Sequence, residues 1–322
     1  MAQVHLIGDV GGTNARFAFA RSDAPGIEAL QTLRAADFGT LLDAIRYYLD
    51  SNGVSSPDAI CIAAAGPVVD GSVHFTNNSW FLTNEDLKKN FATERALIVN
   101  DFAAIAYSLP FLQKKDLMQV GPAGLATFDL PEMTFAVVGP GTGCGAEGLR
   151  RHGDEYLLIE SEAPRCSFAP ETERQFEVLS VLREKFERVT SEHLVSGPGI
   201  ENVYQALAHI EGHRVKPLSS AEIFAAHIAS SNLIASEAVN LFYEVLGQVA
   251  GDFALTIGAY DGVFIAGSIA QPCPALLTGS RFRESFERKG DYSRLVKPIP
   301  TSLITHVQPG LLGAAYCART LA

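Results

Sequence analysis

Three stretches of the chain place together residue types that could do chemistry. The first is Asp9-Val-Gly-Gly-Thr-Asn14, set between the apolar runs 3–8 and 15–20. Two apolar runs around such a turn read as antiparallel strands of a hairpin. Glycines at Gly8, Gly11 and Gly12 let backbone amides approach a phosphate closely, and Thr13 and Asn14 add side-chain donors. Asp9 would sit where a carboxylate can hold Mg²⁺, directly or through water. The same residues also make a plain Gly-Gly hairpin with no chemistry attached. The second stretch is Asn100-Asp101, at the end of the apolar run 96–99. Open α/β sheets place ligand-binding groups at the carboxyl ends of strands, yet an Asp before Phe102-Ala-Ala suits a helix N-cap equally. The third is Gly139-Pro-Gly-Thr-Gly-Cys-Gly145, which follows the strand-like run 134–138. Turns need glycine whatever they do, so Gly141, Thr142 and Gly143 within this one are weak evidence of chemistry by themselves. Neither glycine-rich turn continues into Gly-Lys-Ser/Thr, so neither is a Walker A loop.

The elements that must position these residues are legible from periodicity. Beyond the opening hairpin, a helix is predicted over residues 38–49, closed by Ser51-Asn52-Gly53, and a buried strand over 59–65 ending at Gly66-Pro67. Thr83 with Asp86 reads as a helix start of capping-box type. A strand over 96–101 leads into a helix over 102–109, ended by Pro110. Residues 114–131 are mixed in character and suggest a domain crossing. A charged helix over 171–188, a helix opened by Ser196-Gly-Pro-Gly199, a long amphipathic helix over 234–257, strands over 262–267 and 302–306, and a last helix over 310–321 complete the reading. The stripe on the long helix is core, not a cofactor box.

At 322 residues the chain exceeds one typical domain, and 47% hydrophobic against 19% charged residues is ample for buried cores. A formal charge of −11 argues against nucleic acid and against an anionic membrane surface. The five cysteines (Cys61, Cys144, Cys166, Cys273, Cys317) are odd in number and scattered, which fits reduced thiols in a cytoplasm, not a disulfide framework or zinc site. No run approaches the ~20 apolar residues of a membrane helix, and the opening carries no signal-type segment.

The opening stretch, with Ala15-Arg16 included, resembles the first phosphate loop of the actin/hexokinase/sugar-kinase superfamily, and in particular that of bacterial-type glucokinases. Asn100-Asp101 within Val99-Asn-Asp-Phe-Ala, the second glycine turn, and Val189-Thr-Ser-Glu-His-Leu-Val-Ser-Gly-Pro-Gly199 match the same family in the same order. Val263-Phe-Ile-Ala-Gly-Ser-Ile269 resembles its adenosine motif, with Gly267 under the nucleotide and Ser268 where a second glycine is usual.

The resemblance implies an α/β, two-domain ribonuclease-H-like (actin/hexokinase) ATPase fold with a central interdomain cleft. A small domain would take residues 1–110 plus about 303–322, and a large one residues 111–302. It implies transfer of the γ-phosphoryl group of ATP to the 6-hydroxyl of glucose, with Mg²⁺ at Asp9 bridging phosphates. Asp101 would be the general base, Asn100, Glu162 and Glu192 the sugar ligands, and the two glycine turns the phosphate grips. A sugar and ATP are the implied partners, and a homodimer is allowed.

One loop departs from the family. Where relatives run Glu-Gly-Gly-His, this chain has Glu162-Ala-Pro-Arg165. Proline fixes φ, removes an N–H and pushes Ala163 towards extended conformations. Arginine donates only, where histidine can also accept. Arg165 is therefore expected at the sugar site, folded back on a glutamate as an ion pair or, alternatively, receiving an acidic sugar. The departure motivates one other class, a glucokinase paralogue with lost or altered sugar specificity that binds sugar or nucleotide in regulation. A sugar-responsive repressor and an actin-like ATPase fit less well. The first lacks room for a DNA-binding domain, and the second has no use for Asn100, Asp101 and Glu192. Cys166 beside Arg165 reads as a quiet buried cysteine, with an activated thiol as the alternative.

Overall fold

The computed structural model describes residues 3–75 and 80–320. The chain divides into two compact units, Met1–Leu112 with His306–Ala322, and Gln113–Thr305.

In the first unit, β1 (Val4–Val10) and β2 (Asn14–Arg21) form the opening hairpin, and β3 (Ala24–Arg34) pairs with the outer side of β2. Helix α1 (Leu41–Ser51) starts at Thr40, whose hydroxyl and Asp43 make a reciprocal capping box. Strand β4 (Ala59–Ala64) then pairs parallel to β1. The short strands β5 (Val68–Val69), β6 (Ser72–His74) and β7 (Phe81–Thr83) form a separate small sheet. Helix α2 (Asn84–Phe91) opens with the expected Thr83–Asp86 capping box. Strand β8 (Ala96–Asn100) pairs parallel to β4, and helix α3 (Asp101–Ser108) follows without a loop. The sheet order is β3-β2-β1-β4-β8.

In the second unit, β9 (Leu117–Val120) precedes a second hairpin of β10 (Glu132–Pro140) and β11 (Cys144–His152), with β12 (Glu155–Ile159) on its outer side. Helices α4 (Glu173–Lys185), α5 (Gly197–Ile210), α6 (Ser220–Ile228) and the long α7 (Leu233–Ile257) come next. Strand β13 (Gly262–Ile265) pairs parallel to β10; after α8 (Pro274–Gly279), α9 (Phe282–Glu287) and α10 (Ser293–Val296), β14 (Thr301–Ile304) pairs parallel to β13. The sheet order is β12-β11-β10-β13-β14-β9. Helix α11 (Pro309–Thr320) returns the chain to the first unit.

Both sheets follow one plan. The first strand of a hairpin carries its antiparallel partner on one side and a parallel strand on the other, so the hairpin turn lies at the carboxyl edge of the parallel strands. In the first unit one row across the sheet joins Val10, Ala64 and Asn100. In the second, Val138, Ile265 and Leu303 share a row. Register thus delivers Gly11-Gly12 and Asn100 to one edge, and Gly139–Gly145 and Gly267 to another. Each unit has its own apolar core: Leu6, Phe17, Tyr48 and Ile62 in the first, and Phe242, Tyr243 and Leu246 of α7 in the second, all fully or almost fully buried. Among the described residues no helix is long and apolar enough to cross a membrane.

Candidate active site

The first unit gathers Asp9, the glycine turn, Asn100 and Asp101. Asp9, next to last in β1, lies directly opposite Arg16 of β2, and their side chains form an ion pair at 3.2 Å. The turn is closed by the Gly11 N–H donating to Asn14 O at 2.9 Å, and Thr13 is exposed. Gly8 lies inside β1, where a Cβ would stand 2.7 Å from the end of the Ile62 side chain and 3.2 Å from the Phe17 ring, so packing favours glycine there. At the head of α11, the backbone of Gly310 comes close to the Asp9 carboxylate.

At the end of β8 the capping role belongs to Asn100, not Asp101. The Asn100 side-chain oxygen accepts the N–H groups of Phe102 (2.8 Å) and Ala103 (3.3 Å), and its amide donates to Gly66 O at 3.0 Å. Asp101 is the first helical residue, and its carboxylate accepts the Phe102 N–H at 3.0 Å. Burial pushes the Asp101 carboxyl up to about 6 and the charge of Asp9 adds to that, while the hydrogen bonds it accepts act the other way. Asp9 is itself raised by burial, with Arg16 opposing.

The second unit gathers the other candidates around Glu192. The turn of the β10–β11 hairpin spans Gly141, Thr142 and Gly143, with Thr142 exposed. One carboxylate oxygen of Glu192 accepts the Cys144 N–H at 2.8 Å, and a Cβ on Gly143 would lie 2.7 Å from that oxygen. The other oxygen meets Arg165 Nη1 at 3.2 Å, and Arg165 Nε lies 3.5 Å from Glu162. Arginine therefore folds back on both glutamates. Pro164 does not extend the loop: Ala163–Arg165 closes a 3₁₀ turn in which the Arg165 N–H donates to Glu162 O at 2.9 Å and Pro164 is buried. Gly267 sits at φ +94°, and a Cβ there would lie 2.4 Å from Pro140 O, so only glycine lets this segment cross the second turn. The Ser268 hydroxyl lies 3.5 Å from where a Gly141 Cβ would be.

Two contributors escape a linear reading. Asp9 and Arg16 are equally spaced about Gly12-Thr13, a signal visible once the turn is centred there. Glu147, buried in β11, accepts the Ser161 N–H at 3.1 Å and so anchors the start of the altered loop; a lone acid in a strand gives no such hint.

Two hairpin-led sheets, each with a glycine turn at the carboxyl edge of its parallel strands, are the two-domain, actin-like ATPase fold that sugar kinases use. A solved structure of glucokinase from an Antarctic psychrotroph superposes with a TM-score of 0.89 at 36% identity, over 98% of each chain. The family model for glucokinase matches residues 6–321, and the chain belongs to the glucokinase family. A glucokinase of Caulobacter sp. (strain K31) is 40% identical over 96% of this chain and 93% of its own. One from Xanthomonas campestris pv. campestris (strain 8004) is 38% identical over 97% and 94%.

Proposed function

We propose that this chain transfers the γ-phosphoryl group of ATP to the 6-hydroxyl of glucose, with Asp101 taking the proton of the attacking hydroxyl. The observation that carries the assignment is the state of Asp101: a carboxylate at the carboxyl end of β8, pushed up to about 6. A base with its pKa just under the working pH is ionised yet a better proton acceptor than an ordinary aspartate. Asn100 has its oxygen committed to the helix, while its amide donates to Gly66 O and also to the Asp101 carboxylate, so a sugar hydroxyl bound at Asn100 would lie beside the base. Glu192 and Glu162 accept from further hydroxyls. Thr13 and Asn14 in one unit, and Thr142 and Gly143 in the other, offer donors to the phosphates, while Gly11, Gly12 and Gly141 shape the two turns, the N–H groups of Gly11 and Gly141 closing them on Asn14 O and Gly143 O. Gly267 presents bare backbone to the adenosine.

Magnesium fits the residues present at Asp9. Among the described residues no group of three or more His, Cys, Asp or Glu could cage a metal, and Mg²⁺ on nucleotides uses one or two carboxylates plus phosphates and waters. Asp9 and Asp101 also repel one another, a burden that a cation relieves. Bound magnesium neutralises charge on the phosphates. We place the chain in the cytoplasm, where the five scattered cysteines of its sequence would stay reduced.

The test is ADP release measured across a panel of sugars. Glucose-dependent turnover that vanishes without Mg²⁺ is expected. ATP consumption indifferent to every hexose would overturn the reading.

A further inference from the structure

We infer that Arg165 is an intramolecular competitor for the sugar: its guanidinium occupies Glu162 and Glu192, and a sugar hydroxyl must displace it to bind. This rests on the reading of those glutamates as sugar ligands.

The arrangement is built in by the backbone. A 3₁₀ turn has about three residues per turn, so residues i and i+3 stand on one edge; the turn over Ala163–Arg165, entered from Glu162, places Glu162 and Arg165 together in this way. The loop is then laced to the segment that carries Glu192. The Phe168 N–H donates to Val189 O at 3.0 Å, the Ser191 N–H donates to Cys166 O at 3.2 Å, and Ser167 and Thr190 form an antiparallel bridge. Arg165 and Glu192 are neighbours because of this lacing, and the ion pair needs no long reach.

The two partners differ in freedom. Glu192 is 17% exposed and held by its other oxygen on Cys144 N–H of the second glycine turn. Swinging it away would strip that hydrogen bond. Arg165 is 64% exposed and Glu162 71% exposed. When a neutral hydroxyl arrives, Arg165 is the group that leaves, and solvent can receive it. Sugar binding thus exchanges a charged donor for an uncharged one on the same carboxylates.

A neutral sugar ordinarily binds with no dependence on ionic strength. Here each binding event breaks ion pairs that salt screens, so salt should promote binding. Between about 10 mM and about 1 M salt the Debye length falls from about 30 Å to about 3 Å, and exposed pairs lose most of their attraction.

The experiment is calorimetric titration of glucose into the native chain and into Arg165→Gln, without nucleotide, at both salt concentrations. For the native chain, Kd for glucose should fall as salt rises. Arg165→Gln should bind glucose about 2- to 5-fold tighter at low salt, the range an exposed ion pair supports, and its Kd should be flat with salt. A purely structural role for Arg165 would not produce a salt slope. If both chains bind glucose with equal, salt-independent Kd, or Arg165→Gln binds it more weakly, the competitor assignment is overturned while the glutamate reading stands. If neither chain binds glucose at either concentration, the sugar-site reading itself falls, and the competitor with it.

Discussion

Asp101 holds two opposed properties in one side chain. Burial and the neighbouring Asp9 charge make ionisation costly, and that cost is what raises its basicity. The rate consequence has a definite sign. The base must be ionised, so kcat/KM should rise with pH through an inflection above the ordinary aspartate range, set chiefly by burial, and level off beyond it. Asp101→Asn should lose about 10²–10⁴ in kcat and lose that inflection while keeping the native circular dichroism. Stability runs in the other direction. A carboxyl whose folded pKa lies above its unfolded value of 3.8 destabilises the fold once ionised, fully above about 6 and not at all below the unfolded value. Asp101→Asn should therefore melt higher than the native chain at pH 8, by on the order of 1–3 kcal/mol, with the gap closing towards pH 4. A variant both slower and more stable is the signature of a strained catalytic group; equal melting at pH 8 would count against the buried charge.

At the scale of elements, the junction of β8 and α3 shows one residue holding structure while its neighbour is free for chemistry. Asn100 closes the amino end of α3 and ties it to Gly66. Asn100→Ala should cost about 1 kcal/mol of stability through the lost cap. Asn100→Ser keeps a capping oxygen but has no amide N–H, so its melting should stay closer to native while its KM for glucose rises as in Asn100→Ala. A normal glucose KM in Asn100→Ser would remove Asn100 from the sugar site. Much of this junction is legible in sequence, because an apolar run, an Asn-Asp pair and a helix-forming tail are local signals. So are the Thr83–Asp86 box and the α7 stripe. β3 is not: it is an edge strand with register shifts against β2, with Ala29 at φ +53° and Leu30 49% exposed, so alternation is broken where a strand pattern would show. β9 is equally hidden, since its place is set by pairing with β14, nearly two hundred residues on in the sequence. The two contacts of Glu192, to Cys144 and Arg165, are long-range as well. The pairing of Arg165 with a glutamate is readable from residue types; that Glu192 also holds the Cys144 N–H is not.

For the whole molecule, each unit supplies its own glycine turn, and ligand linkage is the way to ask whether both act on one nucleotide. ATP with Mg²⁺ should raise the melting temperature, with a stabilisation of about 2.7 kcal/mol when ligand stands at 100 times Kd. Gly12→Val should abolish the shift, because a branched side chain fills the space a phosphate needs. A shift of native size in Gly12→Val would return that turn to a plain hairpin. One further feature bears on how such a chain is made. The second unit is contiguous, whereas the first is completed by α11, whose Ala318 and Arg319 carbonyls accept from Arg95 and whose Arg319 side chain donates to Arg21 O. A ribosome thus emits most of the first unit early but its closing helix only after the whole second unit. The nascent amino-terminal sheet must wait, its β1–β4 face uncovered, through the synthesis of almost two hundred further residues. The unit encoded second is the one free to finish first, and the interval is when a chaperone has most to shield.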